Sequence, residues 1–407
     1  MHVLFIEPSF PYNQKKFVRA LKEVGAHVTG IGERPAEHLD GEVEGWLDGY
    51  EQVRSVVDEG ALLEAVQRAQ ERGPWVHRLE ATVEAHILPA AKVREARGIP
   101  GTSVRTAWLC RDKPAMKEAL RAGGVPCAQS TGASDPDEAR AFAQDVGYPL
   151  IVKPRSGAGA AGTTRVDGSR ELEHAIEEYR LGRGGSVAIE EFIEGHEGFW
   201  DTLSVDGEPV HEFISHYYPR VLDAMRRRFP NPYLVVTNRI EAESYDEVRE
   251  LGRKVIRILG IGTSATHMEW FFGPKGLKFS EIGCRPPGVG VWDLYSAAND
   301  LDLYREWAHC LVHGRPGARA SRRFSAGMLN LRPERDGRIA GYDGLDDVQR
   351  AYGDWILDSH LPSPGTPTAP VEGGYMANAW LRMRHADYDT LREILEAVGR
   401  AVTVRVA

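Results

Sequence analysis

The sequence predicts a multidomain protein of mixed class, in which an α/β unit is followed by α+β units. Three observations predict this class. Strand and helix patterns alternate up to Gly101, a hairpin pattern covers residues 266–288, and the composition shifts near Ser321 to short strands around a helix. With 407 residues, of which 42% are hydrophobic, the chain is long enough for about two or three domains with buried cores.

Charge and composition disfavour several classes of protein. The net charge of −9 disfavours a general affinity for nucleic acid. No run approaches the roughly 18 apolar residues of a membrane helix, and the N-terminus enters a strand pattern without a basic leader. The four cysteines share no metal-binding spacing and fit a reducing compartment. We therefore expect a soluble cytoplasmic protein that binds neither nucleic acid nor membranes.

The N-terminal unit is predicted to contain a parallel sheet. A buried strand at residues 3–7 precedes an amphipathic helix and a second strand, and similar units can be traced as far as Gly98. The first turn lacks GxGxxG, so the dinucleotide-binding fingerprint is absent. The loop residues Ser9, Tyr12 and Glu84 can line a substrate site or serve as scaffold, and the sequence leaves both interpretations open.

Lys113 stands at the start of a predicted helix. Asp112 is a suitable N-cap and Pro114 is tolerated in the first turn. A lysine there faces the unfavourable end of the helix dipole unless an anion is near. Lys113 is therefore a candidate phosphate contact, with a solvated lysine as the alternative.

Lys153 ends a predicted strand that is otherwise apolar. An unpaired ammonium group is unfavourable there, so Lys153 needs a partner, and a triphosphate would serve. The loop that follows, residues 156–162, consists of small residues whose N–H groups can approach an anion closely. It is not a Walker A loop, and flexible linkers share its composition. The sequence allows both a phosphate-covering flap and a linker.

A second predicted strand, residues 187–193, ends close to Glu197. The backbone at such a strand end can bind an adenine ring, and a carboxylate soon after it can accept from both ribose hydroxyls. Further on, residues 216–231 include four arginines, which either recognise an anionic substrate or form a solvated face. The arginines are Arg220, Arg226, Arg227 and Arg228.

The hairpin pattern carries two acids. Counting outward from its Gly-Pro-Lys-Gly turn places Glu269 within about one residue of Glu281, where side chains lie roughly 5 Å apart. Mg²⁺ would remove the repulsion between two such carboxylates. Strand alternation puts Glu281, Gly283 and Arg285 on one face and His267 on the face of Glu269. The alternative is a solvated hairpin with ordinary surface charges.

The helix predicted at residues 245–259 has the clearest pattern in the chain. Ser244 and Glu247 match a capping box, apolar residues recur at helical spacing, and Gly260 provides a stop.

With these segments in order, the chain resembles the ATP-grasp superfamily, and within it the carboxylate–amine ligases related to D-alanine:D-alanine ligase and the bacterial L-amino acid ligases. The segments are DKPAMKEAL, PLIVKPRSGAGAAG, AIEEFIEGHE, HMEW and SEIGCRPPG. The resemblance implies an ATP-grasp fold behind a Rossmann-like N-terminal domain. The expected domains are residues 1–105, the ATP-grasp subdomains 106–190 and 191–320, and a C-terminal α+β lid module at 321–407.

The resemblance also implies roles for individual residues. Lys113 and Lys153 would hold the α- and β-phosphates, and Arg285 would act with Lys153 in catalysis by steadying the γ-phosphate and the developing oxyanion. The flap residues over the triphosphate would be Ser156, Gly157, Gly159 and Gly162. The remaining ATP-binding residues would be Glu190 at the adenine amino group, Glu191, Phe192 and Ile193 at the hinge, Glu197 at the ribose, and His267.

Glu269 and Glu281 would ligate Mg²⁺, or Mn²⁺ as the alternative ion. The family commonly has asparagine two residues after the second glutamate, and this chain has Gly283 there, so a second metal ion is in doubt.

The activity that the resemblance implies is ADP-forming ligation of a small-molecule carboxylate to an amine through an acyl phosphate. An ATP-dependent carboxylase or a formate-activating enzyme of purine synthesis is the alternative, and a nucleotide-binding regulatory protein without chemistry is another. Similar enzymes are commonly homodimers.

Overall fold

The computed structural model describes residues 1–155, 162–288 and 290–407. Within these ranges the chain forms a four-stranded parallel sheet, antiparallel sheets of four and eight strands, and a separate strand pair, which confirms the predicted mixed class. No helix in these ranges is long and apolar enough to cross a membrane. The candidate site lies among the two antiparallel sheets and the N-terminal unit.

The first sheet is parallel and has the strand order β3-β2-β1-β4. Its strands are β1 (His2–Ile6), β2 (His27–Gly32), β3 (Gly49–Gln52) and β4 (Arg78–Glu80). Its helices are α1 (Gln14–Glu23), α2 (Gly41–Trp46), α3 (Glu59–Arg72) and α4 (Glu84–Arg97). The parallel sheet predicted for the N-terminal unit is therefore confirmed.

The second sheet is antiparallel, with the order β5-β8-β6-β7. Its strands are β5 (Ser130–Ala133), β6 (Leu150–Pro154), β7 (Thr164–Val166) and β8 (Val187–Glu191). The helices around it are α5 (Val104–Leu109), α6 (Lys113–Ala122), α7 (Pro136–Val146) and α8 (Ser169–Glu178).

The third sheet is antiparallel and has eight strands in the order β13-β12-β9-β10-β11-β14-β17-β16. The strands are β9 (His196–Val205), β10 (Glu208–Tyr218), β11 (Tyr233–Val236), β12 (Ser264–Gly273), β13 (Gly276–Gly283), β14 (Ser325–Leu331), β16 (Ile356–His360) and β17 (Ala379–His385). A separate pair is formed by β15 (Ile339–Asp343) and β18 (Thr403–Val406). Strands from the predicted C-terminal module thus extend this sheet, while the domain boundaries themselves stay a prediction.

The helices of this part of the chain are α9 (Val221–Ala224), α10 (Asp246–Leu259), α11 (Val291–Asn299), α12 (Leu303–His313), α13 (Leu345–Tyr352) and α14 (Tyr388–Ala401). An aromatic cluster joins α11 and α12 to the first sheet. Phe17 of α1 lies 4.9 Å from Tyr304, 5.1 Å from Trp307 and 5.2 Å from Trp292, measured between ring centroids. Such pairs stabilise by about 0.5–1.5 kcal/mol beyond their burial. The N-terminal unit and the large sheet therefore share one core.

Helix α10 packs closely on the large sheet because Gly252 lacks a side chain. A Cβ at Gly252 would lie 2.4 Å from ring carbons of Trp200. The predicted apolar stripe is buried, but the predicted capping box is wrong, since the N-cap residue is Tyr245 and its side chain makes no capping hydrogen bond. Ser244 lies inside a 3₁₀ turn, Glu243–Tyr245, and is therefore not the N-cap residue.

A buried histidine, His216, connects the start of α10 to the sheet. His216 of β10 bonds through Nδ1 to His196 Nε2 at 2.9 Å and through Nε2 to the Tyr245 hydroxyl at 2.8 Å. Burial, followed by the neighbouring His196, lowers the pKa of His216 to about 3. Because of this low pKa the ring is neutral at neutral pH, with one ring nitrogen as donor and the other as acceptor.

Acid is expected to destabilise the fold through His216. Its pKa is about 3 in the folded protein against an ordinary 6.5, so the unfolded chain takes up the proton first and stability is lost as the pH falls below the ordinary value. At about pH 5 the loss is about 2 kcal/mol. Urea unfolding between about pH 8 and about pH 5 should show a shallower decline for His216→Asn. Exposed His174 is the control: His174→Asn should keep the wild-type slope. A His216→Asn slope equal to that of wild type would contradict the prediction.

Candidate active site

Two glutamates face each other across the β12–β13 hairpin. Glu269 pairs with Glu281 in the register of the two strands, with a β-bulge immediately after Glu269. At the turn, Gly276 has a φ of +73°, a left-handed conformation that glycine adopts without strain. Directly paired residues project from the same face of a sheet. The pairing predicted by counting from the turn is therefore confirmed.

Two lysines reach Glu281 from other elements. Lys113 Nζ, at the start of α6, lies 3.4 Å from Glu281 Oε2, and Lys153 Nζ, in β6, lies 3.8 Å from the same oxygen. Asp112 caps α6 as predicted and accepts a hydrogen bond from the Ala115 N–H at 3.0 Å. The structure thus brings together the two cations and the two acids that the sequence singled out.

Glu190 is the buried partner that Lys153 needs. Its Oε2 lies 2.9 Å from Lys153 Nζ and 2.7 Å from Lys117 Nζ. Burial alone would raise the pKa of Glu190, but the two ammonium groups lower it to about 2. Burial would likewise lower the pKa of Lys153, but Glu190 and Glu281 raise it. The charges of Glu190 and Lys153 are therefore favoured in the folded protein, whereas burial lowers the pKa of Lys117 against the effect of Glu190.

Sequence reasoning missed Lys117, whose side chain is 1% exposed. The signal was present, because Lys117 follows Lys113 by one helical turn and lies between the buried residues Met116 and Leu120. A lysine on the buried stripe of an amphipathic helix needs an anionic partner.

The other carboxylate oxygen of Glu190 is an acceptor without a donor. Glu190 Oε1 is buried, and within the described ranges it has no hydrogen-bond partner. Glu190 lines a cavity, and a buried acceptor is unfavourable unless a ligand or water supplies a donor. An adenine amino group is such a donor.

The predicted hinge residues follow Glu190. The N–H groups of Glu191 and Phe192 donate to the Gln129 and Pro149 carbonyls at 2.8 and 3.2 Å. The Phe192 ring is flanked by guanidinium groups of Arg165 and Arg220, 4.3 and 5.3 Å from its centroid. Because two hinge N–H groups already have partners, Ile193 is the residue that we propose for the backbone contact with adenine.

Glu197 is buried beside the acid pair. It accepts a hydrogen bond from the Val221 N–H at 2.8 Å. Burial, followed by the charge of Glu269, raises its pKa to about 8. Among the arginines considered for anion binding, Arg220 lines the same cavity as Glu197.

His267 is held between two carboxylates. Its Nδ1 lies 2.7 Å from Asp201 Oδ1, and its Nε2 lies 3.6 Å from Glu269 Oε1. Burial would lower the pKa of His267, but Asp201 and Glu269 raise it to about 10, so the ring is cationic at neutral pH. Asp201, which also accepts from the Tyr295 hydroxyl at 2.5 Å, was missed because only the pairing of β9 with β12 reveals it.

Arg285 is tethered to the N-terminal unit. Its Nε donates to Glu84 Oε2 at 2.6 Å, and its Nη1 donates to the Pro286 carbonyl at 2.7 Å. Arg111 donates to the Glu84 carbonyl at 2.5 Å. Glu84, which the sequence left open as a substrate-site or scaffold residue, is therefore a partner of Arg285.

Most of the glycine-rich segment lies outside the described residues. Ser156, Gly157 and Gly159 lie outside the described residues, so their predicted contacts stay predictions. Gly162 is described and has a φ of +68°, and its carbonyl accepts from the Tyr179 hydroxyl.

The acid pair fits a metal ion that is shared with phosphate. In the described part of the chain, no group of three or more His, Cys, Asp or Glu could hold a metal ion. Mg²⁺ in nucleotide sites is commonly held by one or two carboxylates plus substrate phosphates, which Glu269 and Glu281 match. A Cβ at Gly283 would meet Arg285 Cγ at 3.5 Å and Glu84 Oε2 at 3.6 Å, so the backbone leaves room for a side chain there.

A cavity of about 1200 Å³ is lined by the acid pair, the predicted lysines and the predicted hinge residues. Its wall also includes residues of α1 and the loop before it, Tyr12 among them, and residues of β16 and β17. Both antiparallel sheets, together with helices and loops of the N-terminal unit, therefore contribute to a single cavity.

The middle of the chain matches a known domain family. Residues 118–300 match the family model of the ATP-grasp domain, so the chain contains that domain. The resemblance inferred from the sequence segments is thereby confirmed.

The relatives show which proteins the chain is similar to beyond this domain. An L-arginine-specific L-amino acid ligase from Bacillus subtilis is 27% identical over 326 residues, covering 78% of this chain and 76% of that protein. A formate-dependent phosphoribosylglycinamide formyltransferase from Chlorobium phaeobacteroides is 23% identical over 341 residues, 82% of each. The crystal structure of an L-amino acid ligase from Bacillus licheniformis has a TM-score of 0.76 and 18% identity, covering 100% of this chain and 98% of that one. Over most of its length the chain is therefore similar to proteins named L-amino acid ligases.

Glu190→Gln is expected to destabilise the fold strongly, because it leaves the buried ammonium groups of Lys117 and Lys153 without their common carboxylate. The expected loss is about 3–5 kcal/mol in the free energy of unfolding, measured with urea. The control is Glu173→Gln, which removes a half-exposed ion pair with Arg140 and should change stability by less than about 1 kcal/mol. Equal effects of the two variants would contradict the prediction.

Proposed function

We propose that the protein is an ADP-forming ligase that activates a carboxylate as an acyl phosphate and joins it to an amine. The observation that carries this proposal is the meeting of Lys113, Lys153, Glu269 and Glu281 at one cavity. Ammonium groups suit phosphate oxygens, and paired carboxylates suit a divalent cation. Together they suit a nucleoside triphosphate.

In this proposal, the groups that bind the nucleotide lie within this cluster and on either side of it. We assign the α- and β-phosphates to Lys113 and Lys153, and the adenine amino group to Glu190 Oε1. The support for the adenine assignment is that this buried acceptor lacks a donor among the residues that the structure describes. Glu197 is assigned to the ribose hydroxyls.

Glu269 and Glu281 are assigned to Mg²⁺, with Mn²⁺ as the alternative ion. The ion would neutralise phosphate charge and orient the triphosphate. His267 carries a positive charge and lies next to Glu269, so it holds that carboxylate in place. A direct contact of His267 with ATP stays a prediction.

The chemistry follows from the leaving group. A carboxylate is a poor electrophile because oxide would have to leave, whereas an acyl phosphate releases phosphate. Phosphoryl transfer depends mainly on positioning and on neutralising charge as it shifts. Lys153 and Arg285 provide cationic groups at this cavity. Attack of the amine on the acyl carbon then yields an amide and phosphate.

Amino acids are the substrates that we propose. The Bacillus subtilis relative is named for L-amino acids and for L-arginine, and the cavity extends beyond the acid pair to the N-terminal unit and to β16 and β17. We also propose a cytoplasmic location, which is supported by the free cysteines. A homodimer stays a prediction.

The test is a screen for ADP release over pairs of amino acids, with hydroxylamine as a trap. A hydroxamate of an amino acid, formed only with ATP and Mg²⁺, is the expected result. The formate-dependent relative favours a second candidate, activation of formate. Formohydroxamate, or ADP release that depends on bicarbonate, would replace the ligase proposal, and absence of ADP with every acid would reject it.

Glu269→Gln and Glu281→Gln are expected to lower kcat/KM for ADP formation by at least ~100-fold, because each removes one of the two carboxylates assigned to the metal. Both variants should also need more Mg²⁺ for half-maximal rate. Glu247→Gln, on the exposed side of α10, is the control and should behave like wild type. Wild-type rates and Mg²⁺ dependence in both site variants would refute the assignment.

A further inference from the structure

The cavity is larger than a site for a single ligand. Its volume of about 1200 Å³ exceeds the roughly 300–1,000 Å³ usual for one ligand. β13 lies at one end of the eight-stranded sheet and β16 at the other, yet both strands line the cavity. The sheet must therefore curve so that its last two strands face the acid pair across the cavity.

Those two strands present a wall of charged and aromatic side chains. In the register of β16 and β17, Asp358 pairs with Arg382 and His360 pairs with Trp380, and all four line the cavity. We call these four residues the β16–β17 wall. The rings of His360 and Trp380 are stacked, with centroids 5.8 Å apart.

The charges on this wall are unevenly neutralised. Asp293 of α11 receives two cations, Lys16 at 2.7 Å and Arg382 at 3.1 Å. Asp358 shares Arg382 with Asp293, at 3.3 Å, and its side chain is 51% exposed. Burial raises the pKa of Asp358, Arg382 and Lys16 lower it, and nearby Asp293 raises it, and the net shift is upward. Of the two carboxylates, Asp358 is the one that gains from another cation.

The aromatic neighbours favour the same kind of ligand. A cation over the face of a tryptophan is attracted by the ring, and Trp380 already carries the Arg382 guanidinium 4.4 Å from its centroid. Planar guanidinium groups both stack on such surfaces and bind carboxylates through two parallel hydrogen bonds.

We propose that the β16–β17 wall recognises the positively charged side chain of an amino acid substrate, with Asp358 as the specificity-determining ion-pair partner. This inference rests on the ligase function proposed above and adds the substrate class. An acidic side chain would be repelled by Asp358, and a neutral one would leave the carboxylate without its second cation.

The test compares arginine with citrulline, whose side chains have similar shape but different charge. Each is offered as one substrate together with the same second amino acid, one that wild type accepts. Glutamate is tested in the same way. Wild type should prefer arginine to citrulline by about 10- to 100-fold in kcat/KM, and Asp358→Asn should remove this preference through KM for arginine. Exposed Asp354, in the same segment, supplies the control Asp354→Asn, which should keep the preference. Thermal unfolding checks that both variants are folded.

Calorimetric binding of arginine and citrulline separates this proposal from the ligase function, because it needs no turnover. Arginine binding that is lost in Asp358→Asn, with no ADP formed from any amino acid, would reject the ligase function and support the subsite. The subsite is rejected if wild type binds arginine no more tightly than citrulline, if glutamate is preferred, or if Asp358→Asn weakens both ligands equally.

Discussion

The ion trio formed by Lys117, Glu190 and Lys153 is the interaction on which the site depends. One buried carboxylate oxygen holds two ammonium groups, from α6 and from β6. This arrangement ties the helix that carries Lys113 to the strand that carries Lys153. Charges buried in a protein require partners. Glu190 therefore fixes the distance between the ammonium groups of Lys117 and Lys153 in the protein without a nucleotide. The trio thus makes the phosphate side of the cavity a preorganised surface.

The opposite side of the cavity depends on sheet curvature and on the shared aromatic core. The large sheet brings its first and last strands to one cavity, and the cluster around Phe17 fixes the N-terminal unit against α11 and α12. Substrate-binding groups therefore come from segments far apart in sequence, while the acid pair comes from one hairpin.

The features that could be predicted from sequence are those determined by short segments. The Glu269–Glu281 pairing followed from counting out of one turn, and the cap at Asp112 followed from three neighbouring residues. The role of Lys117 could have been predicted from its position on the buried face of its helix, but it was missed. Asp201 and the β16–β17 wall could not be predicted, because they depend on strand pairing between distant segments. The capping box at Ser244 failed because a 3₁₀ turn took the place of the expected cap. The parallel and antiparallel parts of the fold were predictable from hydrophobic period, but the merging of C-terminal strands into the large sheet was not.

The bond between Arg285 and Glu84 joins the segment after β13 to the start of α4. A cation assigned to catalysis is thereby oriented by a part of the chain outside the matched ATP-grasp residues. A core limited to residues 118–300 would keep the acid pair and Lys153 but lose Lys113 and the anchor of this guanidinium. In the evolution of such enzymes, N-terminal units could then be exchanged only together with a carboxylate in this position.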